Sequence, residues 1–194
     1  MQFSITHQER YSRGQLLLRT LFGMFYIALP HGFLLFFASI WAMILGFLAF
    51  WAVLFTGKYP QSWFDYQVKL LAWSNRLMAS MYNFTDEYPA FGTKGTSQSV
   101  SLTVPYPEKS SRGLLLLRMF FGIFYIWIPH GFCLVFRVYG MMFLMFLAWF
   151  AILFTGKYPK RFFDFNVGTL RWMNNLSLYT GLMTDEYPKF TGKE

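Results

Sequence analysis

Long apolar runs separated by short polar segments dominate this chain, and they predict helices on the scale of a lipid bilayer. Between Arg19 and Lys58 no charged residue occurs for 38 positions, which corresponds to ~57 Å of α-helix. One crossing of the hydrocarbon core needs only ~30 Å. The run therefore predicts two crossing helices, at about 13–29 and about 33–55.

The sequence Pro30-His31-Gly32 predicts the turn between these two helices. Proline removes a backbone donor, and glycine permits a sharp reversal of the chain. The result would be a transmembrane hairpin. A re-entrant or steeply tilted first helix is the alternative, because the segment 13–29 gives only ~25 Å and contains two arginines.

The whole pattern occurs twice, offset by 99 residues. Residues 12–91 align with 111–190 without a gap, and about 44 of the 80 aligned positions are identical. Such self-similarity is typical of a tandem duplication. The second copy accordingly repeats the helices and the turn, at about 112–128, Pro129, Gly131 and about 132–154.

Two further elements flank each hairpin. After each Lys-Tyr-Pro, polar and apolar residues recur at helical spacing, which predicts amphipathic helices at about 61–83 and 160–182 that lie in the membrane interface. Packing of such a helix on a partner protein remains an alternative. Before each copy, residues alternate with a period of two, which predicts short strands that could pair between the copies. These apolar positions are Phe3, Ile5, Val100, Leu102 and Val104.

Together these patterns predict an all-α integral membrane protein of two tandem repeats, 1–98 and 99–194. Each repeat is expected to be a transmembrane helical hairpin, preceded by a short β-like segment and followed by an interfacial helix.

Composition supports a membrane protein over a soluble enzyme. Hydrophobic residues make up 55% of the 194 residues, aromatic residues 23% and charged residues 13%, whereas soluble domains carry about 25% charged residues. The net charge is +8, but the cations flank apolar runs, where anionic lipid headgroups rather than nucleic acid are the expected partner. The single cysteine, Cys133, excludes an intramolecular disulfide.

With both copies turning at Pro-His-Gly, nearly all cations lie on one side of the membrane. The positive-inside rule then predicts a multi-pass protein of the bacterial inner membrane with both termini in the cytoplasm. The cations expected to contact lipid or the interface are Arg13, Arg19, Lys58, Lys69, Arg76, Arg112, Arg118, Lys157, Lys160, Arg161 and Arg171.

Candidate chemistry is sparse. His31 and His130 occupy equivalent places and are candidates for binding a cofactor such as haem, because imidazole ligates metals. A structural role at a helix end is the preferred interpretation. The paired acids of each Thr-Asp-Glu-Tyr-Pro segment suit a turn better than a metal site. We therefore expect no catalytic residue, metal or cofactor.

A stripe of small residues, Ala38, Ala42 and Gly46, predicts close helix packing in the first copy. The second copy has Arg137, Met141 and Met145 at these positions. This difference predicts that the two halves pack against different surfaces, and it favours docking on other membrane subunits.

The repeated motifs resemble a family of small bacterial membrane proteins known as a domain of unknown function. The resemblance rests on Pro-His, Phe-Thr-Gly-Lys-Tyr-Pro, Phe-Asp-Phe-x-Val-Gly and Thr-Asp-x-Tyr-Pro, and the second copy matches best, with Phe163-Asp164-Phe165-Asn166-Val167-Gly168. The first copy departs from it at Tyr66 and Lys69. The resemblance implies a duplicated inner-membrane domain and no catalytic role.

The expected function is that of a non-catalytic accessory or scaffold subunit of a larger membrane complex, which acts by helix packing and contact with anionic lipid. The alternative is a small transporter or lipid-handling protein with a pathway between the two halves.

Overall fold

The computed structural model describes residues 1–193 and contains four helices and two short strands. The strands are β1 (Gln2–Ile5) and β2 (Val100–Thr103). The helices are α1 (Arg13–Thr56), α2 (Gln61–Met81), α3 (Arg112–Thr155) and α4 (Lys160–Thr180).

The predicted hairpins are wrong, because α1 and α3 are each one continuous helix of 44 residues. Residues Pro30, Gly32, Pro129 and Gly131 are helical, not turns. Near the proline the helix changes from α-helical to π-helical hydrogen bonding. The π-helical segment is Met24–Ala28, which ends two residues before Pro30. Such segments loosen the hydrogen-bond ladder of an α-helix locally. The equivalent segment of the second repeat is Ile123–Trp127.

A tyrosine from outside the helix replaces the hydrogen bond that the proline cannot make. In an α-helix the amide of residue 30 would donate to the carbonyl of Tyr26, and proline has no amide hydrogen. The hydroxyl of Tyr88 donates to this carbonyl at 3.0 Å, and Tyr187 donates to the carbonyl of Tyr125 at 2.7 Å. The tyrosine hydroxyls thus supply donors where each proline interrupts the backbone hydrogen bonds, and the helix continues through this point.

The chain reverses instead at the Gly-Lys-Tyr-Pro motifs. Gly57 and Gly156 end the long helices in the left-handed conformation, with φ of +73° and +70°, as helix C-terminal glycines commonly do. The short helix α2 then runs back antiparallel along α1, and α4 likewise follows α3.

The two long helices lie antiparallel and hold each other at their ends. Arg13 donates to the carbonyl of Phe154 at 2.9 Å, and Arg112 donates to the carbonyl of Phe55 at 2.8 Å. A cation at the last carbonyls of a helix is favourable because these groups carry negative partial charge. Each repeat thus caps the other, which gives the molecule an approximate twofold axis.

The predicted strands are confirmed, and they pair with each other across this axis. The strands are antiparallel, and Phe3 lies opposite its own equivalent, Leu102. The side chains of Phe3 and Ile5 point into the core, whereas Ser4 and Ser101 point outward and are 2.8 Å apart. The sheet therefore has a dry inner face and a polar outer face.

The chain is arranged in three layers along the twofold axis. The long helices form one outer layer, the sheet with its loops forms the opposite one, and α2 and α4 lie between them. On the axis in the middle layer, the side-chain amide of Asn174 donates from Nδ2 to the side-chain oxygen Oδ1 of Asn75 at 3.1 Å. Residue 174 is the equivalent of residue 75, so the two repeats meet through the same position.

Candidate functional site

Each repeat contains an aromatic cluster around its buried histidine, in which the tryptophan is also buried and the tyrosine and phenylalanine are partly exposed. We term these the histidine clusters: His31, Trp73, Tyr88 and Phe91 in the first repeat, and His130, Trp172, Tyr187 and Phe190 in the second. Trp73 Nε1 donates to His31 Nδ1 at 2.9 Å, and the imidazole stacks on the ring of Phe91 at 3.8 Å between centroids. His31 is fully buried. The cluster joins α1, α2 and the loop after α2.

The second cluster repeats this geometry closely. Trp172 Nε1 donates to His130 Nδ1 at 2.9 Å, and the imidazole stacks on Phe190 at 4.0 Å. Since Nδ1 accepts in both rings, a neutral imidazole carries its hydrogen on Nε2. Neither Nε2 has a hydrogen-bond partner among residues 1–193. Both histidines thus act as hydrogen-bond acceptors that tie one helix to the next.

The donor set needed for a protein-bound metal is not assembled in the part of the chain that the structure describes, where no three His, Cys, Asp or Glu side chains come together. His31 and His130 lie in separate clusters, each walled by its own tryptophan and phenylalanine. The arrangement provides each imidazole with a close-fitting aromatic wall and one hydrogen bond.

Arg19 does not reach the membrane surface as predicted, because the loop after α2 surrounds it. Its guanidinium donates to backbone carbonyls of Ser80, Thr85, Asp86 and Glu87, and the residue is only 5% exposed. Arginine can do this because its planar group offers five donors. The prediction of lipid contact is wrong here, since carbonyls of the helix end and loop have replaced the headgroups.

Arg118, the equivalent residue, also points inward. It donates to the Tyr179 carbonyl at 3.0 Å, pairs with the carboxylate of Asp185 at 2.8 Å, and lies over the Tyr179 ring at 3.8 Å. The predicted lipid contact is therefore wrong for this residue too.

The paired acids have separate structural roles. The carboxylate of Asp86 accepts from the amide of Ser12 at 2.8 Å, and Asp185 accepts from Ser111 at 2.7 Å. These amides belong to the N-cap residues of the two long helices, where a carboxylate is favourable. The Thr-Asp-Glu-Tyr-Pro loop thereby holds the start of each long helix.

Glu87 fastens the connector between the repeats. Its carboxylate accepts from the Ser97 hydroxyl at 2.8 Å and from the amides of Ser99 and Gln98 at 3.2 and 3.3 Å. Burial alone would raise the pKa of this carboxyl, but these hydrogen bonds outweigh burial and hold the pKa below its ordinary value of 4.5.

Arg76 is a third cation for which lipid contact was predicted but which is buried in the fold. It is 6% exposed and donates to the carbonyl of Gly92 at 2.8 Å. Burial lowers the pKa of its guanidinium, and nearby Glu87 partly offsets this effect. Arg171 is half-buried and donates to the carbonyls of Phe3 and Gly192, so it anchors β1 to α4.

The remaining cations of the predicted set are exposed. Most of them lie at the two ends of the long-helix pair, where Arg13 and Arg112 reach across to the opposite helix. The exposed members are Arg13, Lys58, Lys69, Arg112, Lys157, Lys160 and Arg161.

The small-residue stripe packs within its own repeat. Tyr66 donates to the carbonyl of Ala38 at 3.0 Å, and Gln67 donates to the carbonyl of Ala42 at 2.6 Å. A Cβ on Gly46 would lie 3.8 Å from the Gln67 amide nitrogen. The stripe therefore faces α2 of its own repeat.

Arg137 takes the place of Ala38 in the second repeat, and it also faces its own short helix. Its Nε donates to Thr169 Oγ1 at 3.0 Å, and its guanidinium lies 4.5 Å from the centroid of Phe165, the counterpart of Tyr66. The expected contrast between the halves is therefore a swap of internal contacts: a tyrosine hydroxyl in one repeat, a cation over an aromatic ring in the other.

The partners of the histidines and prolines were not predicted, although the identity of these residues between the two copies pointed to them. Trp73, Tyr88 and Phe91 are identical in both copies, and identity between copies marks a requirement that both repeats share. The motifs lie far apart in sequence, so only the fold shows that they form one cluster.

A comparison with protein-family models finds the family described as "Domain of unknown function (DUF4389)", which matches residues 13–92 and 115–192. The chain belongs to the DUF4389 family. The two matches identify a tandem duplication of the DUF4389 domain, as the internal repeat predicts. Comparisons with curated proteins and with solved structures find no match.

The histidine clusters are expected to stabilise each DUF4389 repeat. Substitution Trp73→Phe leaves Nδ1 of His31 buried without a donor, which costs about 1–3 kcal/mol of unfolding free energy. Denaturant titration in detergent, followed by circular dichroism, measures the loss. Trp51→Phe, at an exposed position of α1, is the matched control and should change the stability little. Equal stability of Trp73→Phe and wild type would contradict a structural role for the cluster.

The stability that Glu87 provides should depend on pH. Because the pKa of Glu87 is lower in the folded chain, its contribution is present above the unfolded pKa and is lost as the pH falls below about 4.5. Glu87→Gln should therefore be less stable than wild type at neutral pH. Between about pH 5 and pH 3 its stability should fall less than that of wild type, because the variant has no carboxylate to protonate at this position. Melting temperatures across this range provide the test, with the exposed Glu108→Gln as the control variant. A Glu87→Gln profile parallel to that of wild type would refute this role.

Proposed function

We propose that this DUF4389 protein is a non-catalytic scaffold embedded in one face of the bacterial inner membrane. The observation that carries the proposal is the open apolar surface of α1 and α3. Each contains a stretch with mean hydropathy of 2.4 or 2.1, of which only 17% is buried. Nearly all exposed large hydrophobic side chains of the chain lie on these two helices. In water such a surface would be unstable or would aggregate.

The length and composition of α1 and α3 suffice to cross a membrane, but their length favours another placement. Forty-four residues extend ~66 Å, about twice the hydrocarbon thickness. Exposed apolar side chains continue along α1 from Leu17 to Phe55. An upright helix would leave about half of this surface in water.

The direction of the twofold axis also favours long helices that lie in the membrane plane over long helices that cross the membrane. If the long helices stood along the membrane normal, the axis would lie in the membrane plane, and the polar sheet face with Ser4 and Ser101 would be at bilayer depth. Polar groups and irregular loops that face lipid at that depth are costly. If the long helices instead lie in the membrane plane, the axis is along the normal. Lipid then covers α1 and α3, while the sheet and loops face water.

This in-plane placement also explains the distribution of exposed cations. Arg13 and Lys157 lie at one end of the long-helix pair, and Lys58 and Arg112 at the other, since the helices are antiparallel. All four are exposed and would lie at headgroup height. Each cation near an anionic surface contributes about 1 kcal/mol to membrane binding. Contact with anionic lipid is thus part of the proposed mechanism, together with helix packing against other membrane subunits.

Spin-label depth measurements test the placement. In a Cys133→Ser background, labels at Phe22→Cys, Phe36→Cys and Phe55→Cys should report similar depths in liposomes, within about 5 Å, as for a helix lying in the interface. Ser101→Cys, on the outer face of the sheet, is the control and should report water. Depths that rise steadily from residue 22 to residue 55 would show a crossing helix and overturn the in-plane proposal.

Gentle native purification tests the scaffold role itself. We expect a membrane protein to be recovered in a fixed ratio with this chain in mild detergent, because the apolar faces of α1 and α3 leave room for partner helices. Native mass spectrometry gives the stoichiometry. Recovery of the chain as a monodisperse monomer without any companion would contradict the proposal.

A second candidate function, lipid handling, is favoured by a cavity between the repeats. It has a volume of about 220 Å³ and is lined by α1, α2 and the end of α4, with polar groups from Ser39, Gln67, Ser74 and Ser177. A lipid-transfer assay between vesicles distinguishes the candidates: transfer that is lost in Ser74→Leu would favour lipid handling, and no transfer by wild type would exclude it.

A further inference from the structure

The first repeat contains a bound peptide segment, supplied by its own chain. The connector residues Ser97, Gln98 and Ser99 run past the Thr85-Asp86-Glu87 loop and lead into β2. Glu87 accepts from one hydroxyl and two amides of this segment. Thr85 Oγ1 lies 3.0 Å from Ser99 Oγ.

We term the groups that hold this segment the seat, and the backbone of β1 completes it. The amide of Thr6 donates to the carbonyl of Ser99 at 2.8 Å, directly beyond the pairing of Ile5 with Val100. The segment is thus held by a carboxylate, by a hydroxyl and by the end of a strand. These groups recognise a backbone that continues a strand and carries serine side chains.

The second repeat has a similar loop, and among residues 1–193 no segment lies against it in the way that 97–99 lie against the first. The loop Thr184-Asp185-Glu186 has the same local structure, since the amide of Glu186 donates to Thr184 Oγ1 at 3.2 Å, as that of Glu87 does to Thr85 at 3.1 Å. The Glu186 side chain is exposed, and among residues 1–193 no hydrogen bond or ion pair to its carboxylate is found.

A polar groove of about 280 Å³ lies beside Glu186. Its lining includes residues that correspond to those around the connector in the first repeat, together with Met1, the counterpart of Val100, and we term it the Glu186 groove. Val104 and Pro105 correspond to Ile5 and Thr6, and Thr184 corresponds to Thr85. The members that would contact a peptide are Val104, Pro105, Asn175, Thr184, Glu186 and Lys189.

Three replacements set the groove apart from the corresponding part of the first repeat. Asn175 stands where the first repeat has Arg76, and Lys189 stands where it has Ala90. Pro105 lacks the amide that Thr6 provides, so the strand end contributes one hydrogen bond fewer. The acceptor carboxylate, which makes most of the contacts in the first repeat, is retained.

We propose that the Glu186 groove binds a short, serine-containing segment of a partner polypeptide, in the way that the first repeat holds its own connector at 97–99. The inference rests on the proposed scaffold function for the existence of a partner, and it names the chemistry by which that partner would be recognised. The groove lies in the layer opposite the apolar helices, so membrane embedding leaves it open to a partner from the aqueous side.

Fluorescence polarisation with a labelled peptide tests this site on the full-length chain in detergent. The probe is Gly-Thr-Ser-Gln-Ser, the sequence of residues 95–99. We expect saturable binding to wild type and at least tenfold weaker binding to Glu186→Gln, because a neutral amide replaces the charged acceptor. A peptide with both serines replaced by alanine should be weakened similarly. Glu108→Gln, an exposed acid of the connector region, is the control and should bind within twofold of wild type.

Saturable binding with equal affinity for wild type and Glu186→Gln would overturn the proposal, as would the absence of binding up to millimolar peptide. Circular dichroism of Glu186→Gln shows whether the variant is folded. Liposome flotation of the same variant should be unchanged, since residue 186 is outside the apolar helices. A failure of peptide binding with normal flotation therefore refutes the groove alone, whereas loss of flotation by wild type refutes the membrane placement.

Discussion

Proline at position 30 frees the carbonyl of Tyr26 from the hydrogen-bond ladder of α1, and the hydroxyl of Tyr88 takes the place of the missing amide. A backbone carbonyl without a donor is unfavourable on an apolar surface, and one alternative would be to end the helix at this point. The tyrosine removes that need, so the helix continues for 44 residues. The shape of each repeat depends on this replacement, since it moves the reversal of the chain from Pro30 to Gly57.

The same loop that carries Tyr88 joins most other parts of the repeat. Its acid Asp86 caps the start of α1, its carbonyls surround Arg19, and Glu87 holds the connector. Ring stacking with Phe91 closes the histidine cluster over α2. These contacts explain why the short acidic motif recurs in both copies, since it gathers polar groups that would otherwise be buried without partners.

Duplication explains the approximate twofold symmetry of the molecule, and the two repeats differ at their acidic loops. The repeats cap each other through Arg13 and Arg112 and meet at Asn75 and Asn174, contacts that need two similar halves. The difference lies in the two acidic seats. The connector lies against Glu87, while among residues 1–193 nothing occupies the corresponding groove at Glu186, which is the surface that we propose for recognition.

The repeat, the apolar runs, the short strands and the approximate positions of the short helices α2 and α4 could be predicted from the amino-acid sequence, because these features depend on local periodicity and on similarity between the copies. The DUF4389 match agrees with the duplication. Local rules also predicted a turn at Pro30 and lipid contact for Arg19, and both predictions were wrong. In each case the decisive partner lies more than sixty residues away along the chain, as Tyr88 does from Tyr26 and Thr85 from Arg19. Whether such a distant group comes near enough to pair a carbonyl beside a proline or a buried guanidinium depends on how the helices and loops pack in three dimensions.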